Sequence, residues 1–575
     1  MGIRARCREL IESKVRTPEP ERLEALFDVD WEWTLDEYPE LGTLVGEPGH
    51  DDRWTDQSLE AIERRKGDVA ALVDAVRSFD RDALDDGGRL NLDLFARHSE
   101  EALETTRFKD EYLAISPMTG PQVQATQVLE AMQARTREKV DALLARLEGL
   151  PTVLDQTVDL LRAGIEAGIT MPKAVMVGVD DQIRAHVTDD PEQGPEYGPF
   201  ARIPSDVADA DASREQARAL IASEVTPAFG RLLSFVTDEY VPACRDSIGM
   251  SDLPDGEAWY AFRARHFTTT DLTPREIHQI GLDEVERIRA AMDEAMRAAS
   301  FEGTFAEFTA FLRTDPRFYF ERAEDLLAAY RDIGKRAYPE LIKLFGTLPR
   351  LPYAVEPTPA YMEARAPAAY YLPGSAEAGR AGVFFANTYD LPSRPRWEME
   401  ALCLHEAVPG HHLQIALAQE RDELPMFRRH GGFTAYIEGW GLYAESLGDE
   451  MGFYTDPHGK FGQLTFEIWR AIRLVVDTGM HALGWSRQQA IDFFESNTGK
   501  PLHDIVVEVD RYIAWPGQAL AYKIGELKFK ALRARATEAL GDAFDVRAFH
   551  DECLRHGAVP LDVLERRIEE WIGAR

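Results

Sequence analysis

The sequence predicts a mainly α-helical protein with at least two lobes. Apolar residues recur at three- and four-residue spacing in residues 140–161 (VDALLARLEGLPTVLDQTVDLL) and again in residues 282–299, which is the pattern of amphipathic helices. The chain has 575 residues, and a single hydrophobic core usually stops growing well below that length. Its content of 45% hydrophobic and 29% charged residues is that of an ordinary globular protein.

The longest polar interruption of the helical pattern lies at residues 186–213. It reads HVTDDPEQGPEYGPFARIPSDVADADAS, and its turn-forming and acidic residues predict an exposed loop. We place a junction between lobes here. The sequence then divides into an N-terminal helical lobe, residues 1–200, and a C-terminal lobe, residues 201–575, which contains all of the motifs described below.

The composition argues against nucleic acid and membranes as partners. The chain has 65 basic and 100 acidic residues and a formal net charge of -35 at pH 7, which repels phosphate backbones and anionic lipid headgroups. No stretch approaches the roughly 20 apolar residues of a membrane span, and the N-terminus lacks the apolar core of a signal peptide. Cys7, Cys244, Cys403 and Cys553 lie far apart in the sequence, which predicts reduced thiols and a cytoplasmic location.

A short strand is predicted before the most informative part of the chain. Residues 382–388 (GVFFANT) have the apolar and aromatic content of a strand. The pair Arg394-Pro395 closes the next loop, and a helical pattern begins near Trp397. A strand thus precedes the helix that contains the principal motif.

That motif is residues 402–414, LCLHEAVPGHHLQ, which places His405, Glu406, His411 and His412 close together. Zinc peptidases carry His-Glu-x-x-His on a helix, because histidines four residues apart share a face and the glutamate polarises the metal-bound water. Here the fourth residue after His405 is Pro409, which cannot continue a helix. The spacing predicts a bulge or break that returns His411 to the ligand position. We therefore prefer His411 as the ligand and leave His412 as the alternative.

A third ligand is predicted in residues 433–451, FTAYIEGWGLYAESLGDEM. Glu438 and Glu445 are embedded there in an apolar helical pattern, where acids need a reason to be buried. Seven residues of helix separate them by about 10 Å, so one ion cannot easily bind both. We take Glu438 as the ligand and Glu445 as a support. A buried polar network without metal is the alternative interpretation of this cluster.

Three segments carry a resemblance to known families. HEAVPGHHLQ, YIEGWGLYAE and RYIAWPGQALAYKIGE resemble the bacterial family called domain of unknown function 885, and the resemblance covers most of the chain. That family is in turn similar to helical gluzincin zinc peptidases such as thimet oligopeptidase, the thermostable carboxypeptidases and angiotensin-converting enzyme. The resemblance implies a mainly α, two-lobed shell around a deep channel. The Gly-His ending of the first motif and the two glutamates seven residues apart fit this likeness.

The same resemblance implies groups that complete a catalytic site. In the oligopeptidase relatives, tyrosines after a late glycine-containing motif stabilise the oxyanion, and Tyr522 is the nearest match, with Tyr512 as its rival. Separately, Lys523 and Arg511 are candidates to bind a substrate carboxylate.

Two further segments carry less certain candidates. The strand with Asn387 is a candidate to bind peptide backbone by strand addition, with a structural strand as the alternative. Arg473, Asp477 and His481 have i, i+4 spacing, which favours a salt-bridged helix face over groups that point into a channel.

These observations predict a metallohydrolase that holds one zinc ion with His405, His411 and Glu438. Glu406 is the expected general base, and His412 is a further candidate substrate-binding group. Short peptides are the expected substrates, because a deep channel excludes folded chains. The alternatives are a metal-dependent hydrolase of small amides or other metabolites, and a non-catalytic protein that binds metal or peptide with a relic site.

Overall fold

The computed structural model describes residues 2–359, 363, 366–376 and 379–575, and it is mainly α-helical. Helices account for 69% of the chain, and the sheet has three strands. The predicted fold class is therefore confirmed. The periodic segments 140–161 and 282–299 lie in helices α7 (Arg137–Ala167) and α14 (Pro274–Ala298).

The chain divides into two compact units. Unit 1 contains residues 1–248, 252–256 and 425–427, and unit 2 contains residues 249–251, 257–424 and 428–575. The predicted boundary at residue 200 falls inside unit 1. The reason is that the helices at residues 210–220 and 226–235 pack against α7 and so belong to the same core. Likewise, the predicted loop 186–213 contributes the buried side chains of Tyr197, Phe200 and Ile203 to unit 1.

Unit 1 is built on helices. They are α1 (Ile3–Glu12), α2 (Glu19–Glu37), α3 (Pro39–Val45), α4 (Leu59–Arg77), α5 (Asp86–Thr105), α6 (Pro121–Ala131), α7, α8 (Val179–Arg184), α9 (Gly198–Ala201), α10 (Ala210–Leu220), α11 (Thr226–Phe235) and α12 (Val241–Ala243). Part of its core lies between α1, α2, α4 and α5, where Leu26 and Phe95 have no exposed surface.

One helical run in unit 1 has the length and composition of a membrane span. It is Ala210–Ala243, whose most apolar window has a mean hydropathy of 1.3 and is 39% buried. The sequence was expected to contain no such segment. The core helix of a soluble protein meets the same criterion, and α10 and α11 of this run pack against α7. The run is therefore weak evidence for a membrane.

Unit 2 holds the remaining helices, apart from Gly256 and residues 426–427 at the starts of two of them, which belong to unit 1. They are α13 (Gly256–Thr268), α14, α15 (Phe305–Thr314), α16 (Ala323–Leu344), α17 (Met399–Glu406), α18 (His411–Gln419), α19 (Met426–Arg429), α20 (Thr434–Ser446), α21 (Pro457–Ala482), α22 (Arg487–Asn497), α23 (Leu502–Ala514), α24 (Ala521–Leu540), α25 (Val546–Leu554) and α26 (Leu561–Gly573). The helix α21 packs along α14 and also contacts α17 and α24.

The sheet of unit 2 has the strand order β1-β3-β2, with β1 (Tyr353–Pro357), β2 (Ala369–Leu372) and β3 (Gly382–Ala386). The predicted strand is therefore real and is β3. It pairs in parallel with β1 and antiparallel with β2. Because both of its sides are occupied, β3 cannot take up a peptide by strand addition, and that expectation was wrong.

Candidate metal centre

The motif helix is broken where the proline-glycine pair stands, as predicted. Helix α17 ends at Glu406 and α18 begins at His411, with non-helical dihedral angles at Ala407 (φ -100°, ψ -108°) and Gly410 (φ -76°, ψ -131°). A Cβ atom at Gly410 would lie 1.8 Å from the carbonyl oxygen of His405, so only glycine fits there. The break brings the ring of His411 back to that of His405, with centroids 4.7 Å apart.

Glu438, from helix α20, meets these two histidines. Its Oε2 atom lies 3.6 Å from Nε2 of His405 and 3.5 Å from Nε2 of His411. The three candidate ligand atoms all lie within 4.8 Å of one another. Two ligand atoms about 2.05 Å from a tetrahedral zinc ion lie about 3.3 Å apart. The two distances from Glu438 and the donor types, two imidazoles and one carboxylate, therefore fit a zinc ion.

Glu445 supports the same histidine from the other side. Its Oε1 atom lies 2.8 Å from Nδ1 of His405, and the side chain is fully buried. Histidine ligands of metals commonly donate their second N–H to a carboxylate, which fixes the tautomer and directs the other nitrogen at the ion. The two glutamates predicted to be too far apart for one ion thus flank one imidazole ring.

The charges of the centre are those of a cation site. Burial lowers the pKa of His405, but the carboxylates of Glu438 and Glu445 outweigh that effect and raise the pKa to about 10. Burial raises the pKa of Glu438, yet the two histidines hold this pKa well below its usual range. Both carboxylate groups therefore favour a positive charge on or near the ring of His405.

Glu406 is the last residue of α17, directly after His405, and its side chain is half-buried. Burial raises the pKa of this carboxyl group, while the nearby His405 and His411 lower it. A raised carboxyl pKa suits a group that must accept a proton and then release it.

His412 does not lie where a substrate could touch it, which corrects the sequence-based assignment. Its side chain is fully buried, and its Nδ1 atom lies 2.9 Å from the hydroxyl of Tyr371. The ring of Tyr353 packs against it at 4.8 Å. Burial lowers the pKa of His412 to about 4, so the ring is neutral near pH 7. The histidine therefore packs α18 against the sheet.

Lys523 was expected to bind a substrate carboxylate, and that expectation was also wrong. Its side chain is fully buried, and its ammonium group contacts three carboxylates: Glu526 at 2.6 Å, and Glu467 and Glu284 at 2.9 Å each. An ammonium group has three N–H donors. All three are thus engaged inside the protein.

Asn387 is likewise an internal residue. Its side-chain amide donates to the carbonyl groups of Glu363, Ala366 and Pro367, and its Oδ1 accepts from the backbone N–H of Tyr389. The side chain is 1% exposed. It fastens the segment before β2 to the end of β3 and does not face a substrate.

The two candidate oxyanion donors have different surroundings. The hydroxyl of Tyr512 donates to Glu508 at 2.6 Å and accepts from Arg473 and Trp469. Its single proton is therefore committed. The hydroxyl of Tyr522 accepts a weak hydrogen bond from Gln518 at 3.4 Å, and within the described ranges no side chain accepts its proton. Tyr522 is the better donor of the two.

Of the four residues expected to bind substrate, only Arg511 keeps some exposure. Its Nη2 atom donates to Oε1 of Gln518 at 2.9 Å, and 22% of the side chain is exposed. Among the described residues, the predicted ladder of Arg473, Asp477 and His481 forms no salt bridge between its own members, and Arg473 pairs instead with Glu508. Asp477 accepts from Tyr260 and from the backbone of Gly517, and His481 contacts the backbone of Met250 and Tyr512.

Three glycines position the centre and were missed by sequence reasoning. A Cβ atom at Gly439 would lie 2.4 Å from Cα of Gly525, so α20 and α24 cross in backbone contact. This crossing places Glu438 of α20 beside α24, the helix that contains Tyr522. A Cβ atom at Gly441 would lie 2.9 Å from Nε2 of His405. The sequence shows these glycines inside apolar helical patterns (IEGWG and KIGE). Because glycine weakens a helix, its presence there indicates close packing of the backbone.

Replacing Gly441 with alanine is expected to lower zinc affinity by about tenfold to a hundredfold, the usual cost of disturbing a group that orients a metal ligand. The added methyl group on α20 would push the ring of His405, which belongs to α17, out of its present position. Competition with a fluorescent zinc chelator measures the affinity. Gly230→Ala is the matched control, because no atom lies within 4 Å of a Cβ at that helical glycine. Equal affinities in the two variants would contradict this packing argument.

Comparison with known proteins gives a family and a fold. The family model described as "Bacterial protein of unknown function (DUF885)" matches residues 39–568. Among curated proteins, none matches the chain. The crystal structure of the putative lipoprotein from Colwellia psychrerythraea has a TM-score of 0.92 and 28% identity, and the match covers 97% of this chain and 100% of that one.

A second solved structure is more distant. It is that of a putative lipoprotein of unknown function from Shewanella oneidensis, with a TM-score of 0.73, 15% identity, and coverage of 95% of this chain and 99% of that one. At this identity the likeness shows a shared fold alone. The structure from Colwellia psychrerythraea is described as that of a putative lipoprotein, so the comparisons do not support the cytoplasmic location expected from composition.

Proposed function

This chain belongs to the bacterial family of unknown function DUF885, and on that premise we propose that it is a zinc-dependent metallohydrolase that cleaves short peptides. The observation that carries the proposal is the convergence of His405, His411 and Glu438 on one point, 3.5–3.6 Å apart along two edges. The carboxyl group of Glu406, the residue after His405 on α17, interacts electrostatically with all three of them.

His405, His411 and Glu438 would hold the ion, and the fourth position would stay open for water or substrate. Bound zinc supplies Lewis-acid chemistry, polarising a carbonyl group and lowering the pKa of water. Glu445, through its hydrogen bond with Nδ1 of His405, would leave Nε2 of that ring free to bind the ion.

Glu406 performs the proton transfers in this proposal. Its carboxylate takes a proton from the attacking water and later delivers it to the leaving amine. The half-buried position supports both steps, because burial raises the carboxyl pKa toward the pH at which the group must work. A pure metal-binding protein would have no use for a carboxylate at this position.

Tyr522 is the proposed donor to the developing oxyanion. The side chain is 8% exposed, and the guanidinium groups of Arg473 and Arg470 lie 4.6 Å and 6.0 Å from its ring centre. These guanidinium groups make the surroundings of the tyrosine electropositive, which would favour a negatively charged oxygen bound beside it.

Digestion of a synthetic peptide library, followed by mass spectrometry, tests the proposal. We expect cleavage that stops when the metal is removed with 1,10-phenanthroline and resumes when zinc is added. A panel of small amides, assayed in parallel, separates the peptidase from a small-metabolite hydrolase. If the purified protein holds zinc but cleaves neither set, a non-catalytic metal-binding role replaces this proposal.

A further inference from the structure

Three arginines gather around Tyr522 in a chain whose net charge is strongly negative. Arg470 and Arg473 come from α21, and their guanidinium groups lie 6.0 Å and 4.6 Å from the centre of the tyrosine ring. Arg511 comes from α23 and reaches the same hydroxyl through Gln518, which it contacts at 2.9 Å. We call Arg470, Arg473 and Arg511 the arginine cluster.

The cluster lies next to the candidate metal centre. Nη2 of Arg470 is 3.9 Å from Oε1 of Glu445, and that same oxygen contacts Nδ1 of His405. One carboxylate group thus stands between the cluster and a proposed zinc ligand. Because the cluster surrounds Tyr522, the proposed oxyanion donor, a substrate held by the cluster would lie beside the bond that the proposed function cleaves.

The positive charge of the cluster is only partly balanced. Arg473 and Arg511 share one carboxylate, that of Glu508, at 3.1 Å and 3.6 Å. Among the described residues, the carboxylate that contacts Arg470 is that of Glu445, at 3.9 Å, and it already serves His405. Unpaired buried charges are costly, so a set of arginines with fewer carboxylates than charges leaves room for a further anionic partner.

Two donors of the cluster also lack hydrogen-bond partners. They are Nε of Arg470 and Nη1 of Arg473, both inaccessible and without an acceptor in the part of the chain that the structure describes. These side chains are 8% and 5% exposed. Buried donors are nearly always satisfied in proteins, so each exception needs an explanation. Arg511 is 22% exposed and provides the accessible edge of the cluster.

We propose that the arginine cluster and Tyr522 form a subsite for a carboxylate group of the substrate. This inference rests on the proposed function for its position beside the scissile bond, and it adds the class of substrate. The protein would act on peptides or acylated amino acids whose free carboxylate lies close to the bond that is cleaved. Planar guanidinium groups suit this ligand, because they pair with carboxylates in a two-pronged geometry.

Binding of two matched probes tests the subsite without any hydrolysis. N-acetylphenylalanine has a free carboxylate, and N-acetylphenylalaninamide is the same molecule with a neutral amide in its place. Isothermal titration into protein stripped of metal removes direct binding to zinc as an explanation. We expect the acid to bind about tenfold to a hundredfold more tightly than the amide, the range for a hydrogen bond to a charged group.

Variants assign the preference to the cluster. Arg511→Gln should remove the preference for the acid and leave binding of the amide unchanged, and Arg511→Lys should restore part of it by returning the charge. Arg487→Gln is the matched control, since its guanidinium also pairs with a carboxylate of α23, Asp510, but lies outside the cluster. If Arg511→Gln proves unstable, the acid and amide titrations on wild-type protein still decide the question.

The outcomes separate this inference from the proposed function. Equal affinity of stripped wild-type protein for the acid and the amide would overturn the subsite, whether or not the protein hydrolyses peptides. A preference for the acid that survives Arg511→Gln unchanged would overturn the assignment to the cluster. A preference that Arg511→Gln removes, in a protein that cleaves no peptide, would uphold the subsite and reject the peptidase.

Discussion

Replacing Glu406 with glutamine is expected to lower the rate of hydrolysis by about a hundredfold to ten-thousandfold, the usual contribution of a positioned acid-base group. The amide preserves the shape of the side chain but cannot accept a proton from water. Zinc content and thermal stability should stay close to those of the wild type, because Glu406 is not among the three converging ligands. Steady-state kinetics on a peptide found in the library digest gives the ratio.

Glu495→Gln is the control for this experiment. This substitution makes the same chemical change at an exposed side chain of α22. The control should retain full activity. Wild-type turnover in Glu406→Gln would remove water activation from the account and favour a non-catalytic protein.

The double variant His405→Ala, Glu438→Ala should lose the metal almost completely. A single imidazole, that of His411, would remain, and one such ligand cannot retain a divalent ion through dialysis. We expect metal content to fall from about one ion per chain to below about a tenth of that. Elemental analysis by inductively coupled plasma mass spectrometry measures this content directly.

The matched control for the ligand variant is His503→Ala, Glu495→Ala. It removes one histidine and one glutamate from exposed positions in α23 and α22. This control should keep the full metal content. If the ligand variant and the control hold equal amounts of metal, the ion lies elsewhere or the protein does not bind one.

Local patterns in the sequence predicted much of the fold. Periodicity identified α7 and α14 because an amphipathic helix needs only its own residues to reveal its buried face. The division into units was harder to predict. Helix α10 belongs to unit 1 because it packs against α7. The residues of α10 alone do not identify that partner.

The three candidate metal ligands could also be predicted, because their positions depend on local features of the sequence. Pro409 forces a helix break, and the break decides which histidine returns to the side of His405. The assignment of Glu438 over Glu445 followed from the rise of a helix. The structure adds that both carboxylates contact His405, on opposite ring nitrogens.

The substrate-binding residues could not be predicted in the same way. Lys523 and Asn387 appear in the sequence as ordinary polar groups, and only non-local contacts reveal that their donors are used inside the protein. The same holds for Tyr512, whose proton is committed to Glu508. The arginine cluster combines residues of α21 and α23, and no single segment displays it.

The central claim is that His405, His411 and Glu438 hold one metal ion, and a crystal structure of the zinc-loaded protein tests it most directly. Anomalous scattering measured at the zinc absorption edge locates the ion independently of the interpretation of the side chains. We predict one peak, with Nε2 of both histidines and a carboxylate oxygen of Glu438 at about 2.0–2.2 Å from it. An ion bound by His412 or Glu445 at that distance, or no peak beside His405, would contradict the claim.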